Sequence, residues 1–133
     1  MIPKELWIQN IVDVIVQIAD PLFQEKAWVQ GKTFLSISFN ETVCQLYEDW
    51  KFEKFLKDCE QKKDLPEDLL VELKRLFKSL DIYINEHEPY SVNEVDMLKD
   101  PKWHQIQKKA QHIIDKFKKI GIQPLDLKNI RWV

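Results

Sequence analysis

Only two of the 133 residues are glycine, Gly31 and Gly121, and this scarcity constrains the fold more than any other feature of the chain. β-Sandwiches and small barrels need many tight turns, and turns with positive φ fall to glycine. A loop that cradles phosphate needs several positions without a Cβ, so Gly-rich nucleotide loops are excluded as well. What remains is a run of helices joined by capped breaks.

The spacing of apolar residues agrees. Trp7, Ile8, Ile11, Val12, Ile15, Ile18 and Ala19 form a stripe along one helix that starts near Pro3. Asp20-Pro21 predicts a break and restart, an Asp cap followed by proline in the first turn of a helix that stops at Gly31. Residues 32–37 are β-prone but short and read as a loop. Ser38 and Glu41 have the spacing of a capping box. They open a helix with Val43, Leu46, Tyr47 and Trp50 on one face, continued after a bend by Phe52, Phe55, Leu56 and Cys59.

Asp64 and Glu67 repeat the box, with Pro66 inside the first turn. The longest helix follows, with Leu69, Leu73, Leu76, Phe77, Leu80 and Tyr83 or Ile84 inward, and Pro89 ends it. Ser91 and Glu94 predict a third box and a short turn through Val95 and Leu98. Asp100-Pro101 opens the last helix, with Trp103, Ile106, Ala110, Ile113, Ile114 and Phe117 inward and Gly121 just past its end. The expectation is one all-α domain over residues 1–133, of five to seven helices, with residues 122–133 docked as a tail.

The length suits a single self-sufficient core. Cys44 and Cys59 form no CxxC pair and follow no secretion signal, so they read as reduced thiols. No apolar run approaches the ~18 residues that span a bilayer, which gives an expected cytoplasmic location and no membrane partner. Catalytic chemistry is hard to find. His87, His104 and His112 form no HExxH pair, and the last two lie about 80° out of phase on a helix. Cys44 reads as a small core residue, and Asp58 and Glu60 beside Cys59 discourage a thiolate. Acidic pairs such as Glu48-Asp49 and Glu67-Asp68 read as solvated helix faces. No catalytic residue, metal site or cofactor is expected, and the chain reads as a non-enzyme.

Charge is segregated along the chain. Residues 39–100 carry sixteen Asp/Glu against nine Lys/Arg, while residues 101–133 carry eight Lys/Arg against two Asp. Lys108, Lys109, Lys116, Lys118 and Lys119 form a basic stripe on the last helix. Such a stripe suits phosphate in general, but the acidic middle and the pI near 5.9 argue against nucleic acid. The acidic middle is the stronger candidate. Glu41, Glu48 and Asp49 lie off the core face, with Trp50 and Phe52 at the bend. Acids around an aromatic centre suit a basic protein partner, since charge speeds encounter and a desolvated ring holds the complex.

Three stretches, ADPLFQEKAWVQGK, SFNETVCQLYED and DPKWHQIQKKAQHII, together resemble small helical bacterial proteins of the toxin-immunity type, including those of contact-dependent growth inhibition. The resemblance spans residues 15–117, and its motifs are caps and core positions. It implies a stoichiometric inhibitor that binds a cognate toxin domain, often a basic nuclease. Glu41, Glu48, Asp49, Trp50 and Glu53 are then the partner-binding residues. Two other readings stay open: a regulatory or nucleic-acid-binding module using the last helix, and an enzyme whose pocket joins Glu48 or Asp49 to a histidine.

Overall fold

The computed structural model describes residues 3–31, 38–87 and 93–127. Among these residues the chain is all-α and forms one domain of seven helices without a strand. They are α1 (Lys4–Ala19), α2 (Pro21–Gln24), α3 (Phe39–Cys44), α4 (Phe52–Lys62), α5 (Glu67–Glu86), α6 (Glu94–Met97) and α7 (Pro101–Lys119). Two of them run on into π-helical turns, α2 through Glu25–Val29 and α3 through Gln45–Asp49. No single helix is long and apolar enough to cross a membrane among the described residues.

Helix α7 packs between α1 and α5, and the apolar stripes meet there. Trp103, Ala110, Ile113 and Phe117 of α7 are buried with Ile11, Ile15 and Ile18 of α1 and Leu69, Leu73, Leu76 and Leu80 of α5. Trp28 and Phe39 pack on Trp103 at 6.0 and 5.4 Å between ring centroids, closing one end of the core with aromatic edges.

Caps explain the breaks. Asp20 accepts from Phe23 N at 3.1 Å and Asp100 from Lys102 N at 2.9 Å, each followed by proline. The bend at Asp20 turns the chain by 78°. Ser38 Oγ accepts from Glu41 N at 3.1 Å, half of the expected box. At the end of α7, Ile122 N donates to Phe117 O and Gly121 N to Lys118 O, both at 3.0 Å, with Gly121 at φ +87°. That pair of bonds is a Schellman motif.

Two expected boxes are not what caps the helices. Pro66 precedes α5 without a side-chain cap, and the Asp64 carboxylate goes instead to Lys4 Nζ at 2.8 Å. Proline at the cap already supplies the extended backbone that starts the helix, and a lysine charge outbids a backbone N–H for the carboxylate. Asn93 caps α6, accepting from Val95 N and Asp96 N, and Glu94 accepts from Phe39 N at 2.9 Å, capping α3 from outside. Ser91, Pro89, the loop 32–37 and Trp132 lie outside the described residues. Val95 is exposed and Met97 is the buried residue of α6.

A buried polar knot joins α1, α2, α3 and α7, and nothing in the apolar pattern foretold it. Helix α1 ends at Ala19, which leaves its last carbonyls without partners in the helix. Gln24, fully buried, donates to Gln17 O and Ile18 O at 2.9 and 2.7 Å, and Gln111 donates to Ala19 O at 2.8 Å. The oxygen of Gln24 accepts from Trp103 Nε1 and Gln107 Nε2 at 3.0 and 2.6 Å. Buried Thr42 donates to Ser38 O at 2.9 Å, with the Gln17 amide 3.2 Å away. The start of the tail lies on α1: Gln9 donates to Gln123 O at 2.7 Å, Asp13 accepts from Leu125 N at 2.8 Å, and Leu127 is buried.

Candidate functional site

The π-turn Gln45–Asp49 closes with Trp50 N donating to Gln45 O at 2.9 Å. A turn with one extra residue shifts the register of the side chains that follow, and such turns recur at functional sites. Lys51 then sits in the left-handed region at φ 49°, ψ 62°, and α4 starts at Phe52. For a residue with a Cβ this conformation is strained by about 1–2 kcal/mol. The carbonyl of Trp50 accepts from Trp7 Nε1 at 2.7 Å, which ties the bend to the first turns of α1.

Between these segments lies a cleft of about 560 Å³. Trp7 and Trp50, both half-buried, give it apolar walls. Lys4, Lys51, Lys54 and Lys62 supply cations, and Asp49 and Asp58 supply carboxylates. Lys4 is committed: its ammonium donates to Asp58 and to Asp64 and lies over the rings of Trp7 and Phe55, 5.5 and 5.4 Å from their centroids. Partial burial pulls the Lys4 pKa down, but the two carboxylates outweigh it and hold it above the ordinary lysine value. Asp58, held below the usual carboxylate range by Lys4, is also reached by Lys62 at 3.3 Å. No ion pair forms at Lys51, Lys54 or Asp49 within the cleft among the described residues.

The five residues expected to meet a partner fall along one stretch. Glu41, Glu48, Asp49 and Glu53 are exposed, and Trp50 is half-buried at the cleft. Glu53 faces Lys57 at 3.5 Å across one turn of α4, a solvent-exposed pair of little energetic weight. Glu41, Glu48 and Asp49 lie close enough together to act on one thiol: burial first, then these three charges, push the Cys44 pKa up. Asp49 and Trp50 line the cleft, whereas Glu53 lines a shallower depression with Tyr47, Lys51, Lys54 and Lys57. Phe52 is fully buried, so Trp50 alone of the two aromatics at the bend reaches the surface.

The cysteines differ from expectation in cause. Cys44 is half-buried rather than part of the core. Cys59 is buried, and desolvation more than its acidic neighbours pushes its thiol up to about 12, with Lys4 opposing. The histidines stay apart: His104 Nε2 lies 2.7 Å from Leu98 O, His87 Nδ1 2.8 Å from Tyr83 O, and His112 Nε2 3.2 Å from Glu72 Oε1. None lines the cleft beside Asp49. No group of three or more His, Cys, Asp or Glu side chains suited to a metal ion occurs among the described residues.

The basic stripe of α7 is partly consumed within the fold. Lys116 reaches Asp68 at 2.7 Å and Glu72 at 3.6 Å, and Lys109 donates to Ser79 at 2.7 Å. Lys108, Lys118 and Lys119 remain exposed.

Sequence reasoning missed Lys51 and Lys54 because each reads as an ordinary surface lysine. A positive φ on a non-glycine residue leaves no mark in composition. The spacing of Trp7 in the first stripe hid its second role, since its ring faces the core through Phe55 at 5.3 Å while its N–H holds the bend. Comparison with protein-family models, with curated proteins and with solved structures gave no match to this chain.

Proposed function

We propose that this chain works by binding rather than catalysis, as an immunity-type protein that docks a basic toxin domain on the ridge from Glu41 to Glu53. The observation that carries this reading is a run of exposed carboxylates, Glu41, Glu48, Asp49 and Glu53, flanking the half-buried Trp50. Residues 41–53 hold these four acids against one lysine, Lys51. Exposed carboxylates keep a long-range field to steer a cationic partner, and the indole supplies area to desolvate on contact. A stoichiometric inhibitor needs no catalytic group, and His87 and His104 lie against backbone carbonyls away from this ridge.

The test pairs the purified protein with the C-terminal domain of a large secreted protein encoded beside its gene. Neutralisation at a one-to-one ratio is expected, with slower association and at least tenfold weaker binding for the Glu48→Lys/Asp49→Lys double variant. Unchanged neutralisation by that variant rejects this surface. No neutralisation by the unaltered protein rejects the immunity reading.

A further inference from the structure

We propose that the cleft between the start of α1 and the start of α4 binds a small aromatic anion, a flat ring carrying a carboxylate or a comparable acid group. The site differs from the acidic ridge in the sign of the charge it selects, and the inference does not depend on the toxin reading. Its volume of about 560 Å³ lies within the range of about 300–1,000 Å³ usual for small-molecule sites. Its walls are the indoles of Trp7 and Trp50, and the Trp7 N–H is already spent on the Trp50 carbonyl. The walls therefore offer ring surface, which favours a flat apolar body over a sugar or a hydrated ion.

Charge sets the rest of the ligand. Asp58 is matched by Lys4 and Lys62, and Lys4 is held by Asp64 as well. The charged lining residues outside this network are Lys51, Lys54 and Asp49. That leaves two cations against one anion beside two indoles, a balance that one added acid group neutralises. Lys51, at φ 49°, is one of two non-glycine residues with positive φ among the described residues, the other being Lys63 at 52°; glycine would sit at position 51 without strain.

The probe is 2-naphthoate, titrated into 15N-labelled protein, with 2-naphthalenemethanol as its uncharged counterpart. Saturable shifts are expected at the Trp7 indole N–H and at the backbone amides from Trp50 to Lys54. The alcohol is expected to bind at least tenfold more weakly. Lys51→Gly/Lys54→Gln should weaken naphthoate at least tenfold while the protein stays folded, because glycine suits the left-handed position. Asp49→Asn should tighten it several-fold by removing the opposing charge. The same substitution should weaken a basic protein partner, so the two sites are told apart by the sign of one variant. Shifts that do not saturate, equal binding of the alcohol, or an affinity that ignores the lysine and Asp49 substitutions would each overturn the proposal.

Discussion

Gln24 shows how much one side chain can hold. Its amide donates to two carbonyls at the end of α1, and its oxygen accepts from Trp103 and Gln107 of α7, all without contact with solvent. Replacing it by leucine keeps the volume but strands two carbonyls and two donors. Each buried orphan costs about 1–3 kcal/mol, and partial relaxation brings the expected loss for Gln24→Leu to about 3–5 kcal/mol. Gln111→Ala, which strands only the Ala19 carbonyl on an exposed helix face, should cost about 1 kcal/mol. Urea unfolding of the two variants measures both, and a Gln24→Leu loss below that of Gln111→Ala would mean that the knot contributes nothing. The apolar residues around Gln24 were legible from their spacing. Gln24 itself was not, because a glutamine between Phe23 and Glu25 looks like any solvated helix position.

Among the helices, local capping signals match the observed caps where no distant group competes for them. Asp20, Ser38 and Asp100 cap the helices that their spacing announced, and Gly121 closes α7. Asp64 and Glu94 have equally good local spacing, but a lysine of α1 and the first turn of α3 claim their carboxylates across the fold. A pattern within four residues cannot foretell a partner brought by folding. The same limit hid the cleft, where the Lys4 ammonium and the Trp7 indole reach across to Asp58 and the Trp50 carbonyl. Asp100 does two jobs, capping α7 with one oxygen while the other accepts from Tyr83 OH at 3.1 Å. Asp100→Ala should therefore lower stability by about 2–3 kcal/mol, more than the ~1 kcal/mol of a cap alone. Asp100→Ala and Tyr83→Phe combined in a double-mutant cycle should show coupling. Strict additivity would assign the whole loss to the cap.

Across the whole molecule, the charge split that runs along the chain is partly neutralised when it folds. Asp68, Glu72 and Glu86 of α5 meet Lys116, His112 and Lys102 of α7, so acidic middle and basic end lie side by side. The pH dependence follows from groups whose pKa moves on folding. Lys4 holds Asp58, and Lys116 holds Asp68, below the usual carboxylate range. Their contribution is present above the unfolded value and lost as pH falls through the depressed one. Glu94, raised by burial, works in the opposite sense: its contribution is present below the ordinary carboxylate value and lost as pH rises through the raised one. On the alkaline side Cys59 dominates first. Between its ordinary value of 9.0 and about 12 the unfolded thiol ionises while the buried one does not, so stability falls as pH rises through that window. By pH 10 this amounts to about 1–2 kcal/mol. Urea titrations at pH 7.5 and pH 10 should show that fall in the unaltered protein and a smaller one in Cys59→Ala. An equal fall in both would move the alkaline sensitivity to the other groups that folding raises: Cys44, Lys4, and Tyr47 and Tyr83, whose hydroxyls burial pushes up.

The seating of α1 against α7 bears on how the protein is made. The carbonyl of Ala19 is capped by a glutamine 92 residues further along the chain. A ribosome adding about 5–20 residues per second takes roughly 5–20 s to cover that distance. For those seconds the face of Ile11, Ile15 and Ile18 lacks the α7 against which it packs in the fold. A nascent chain thus offers chaperones the apolar face of α1 until α7 has been made.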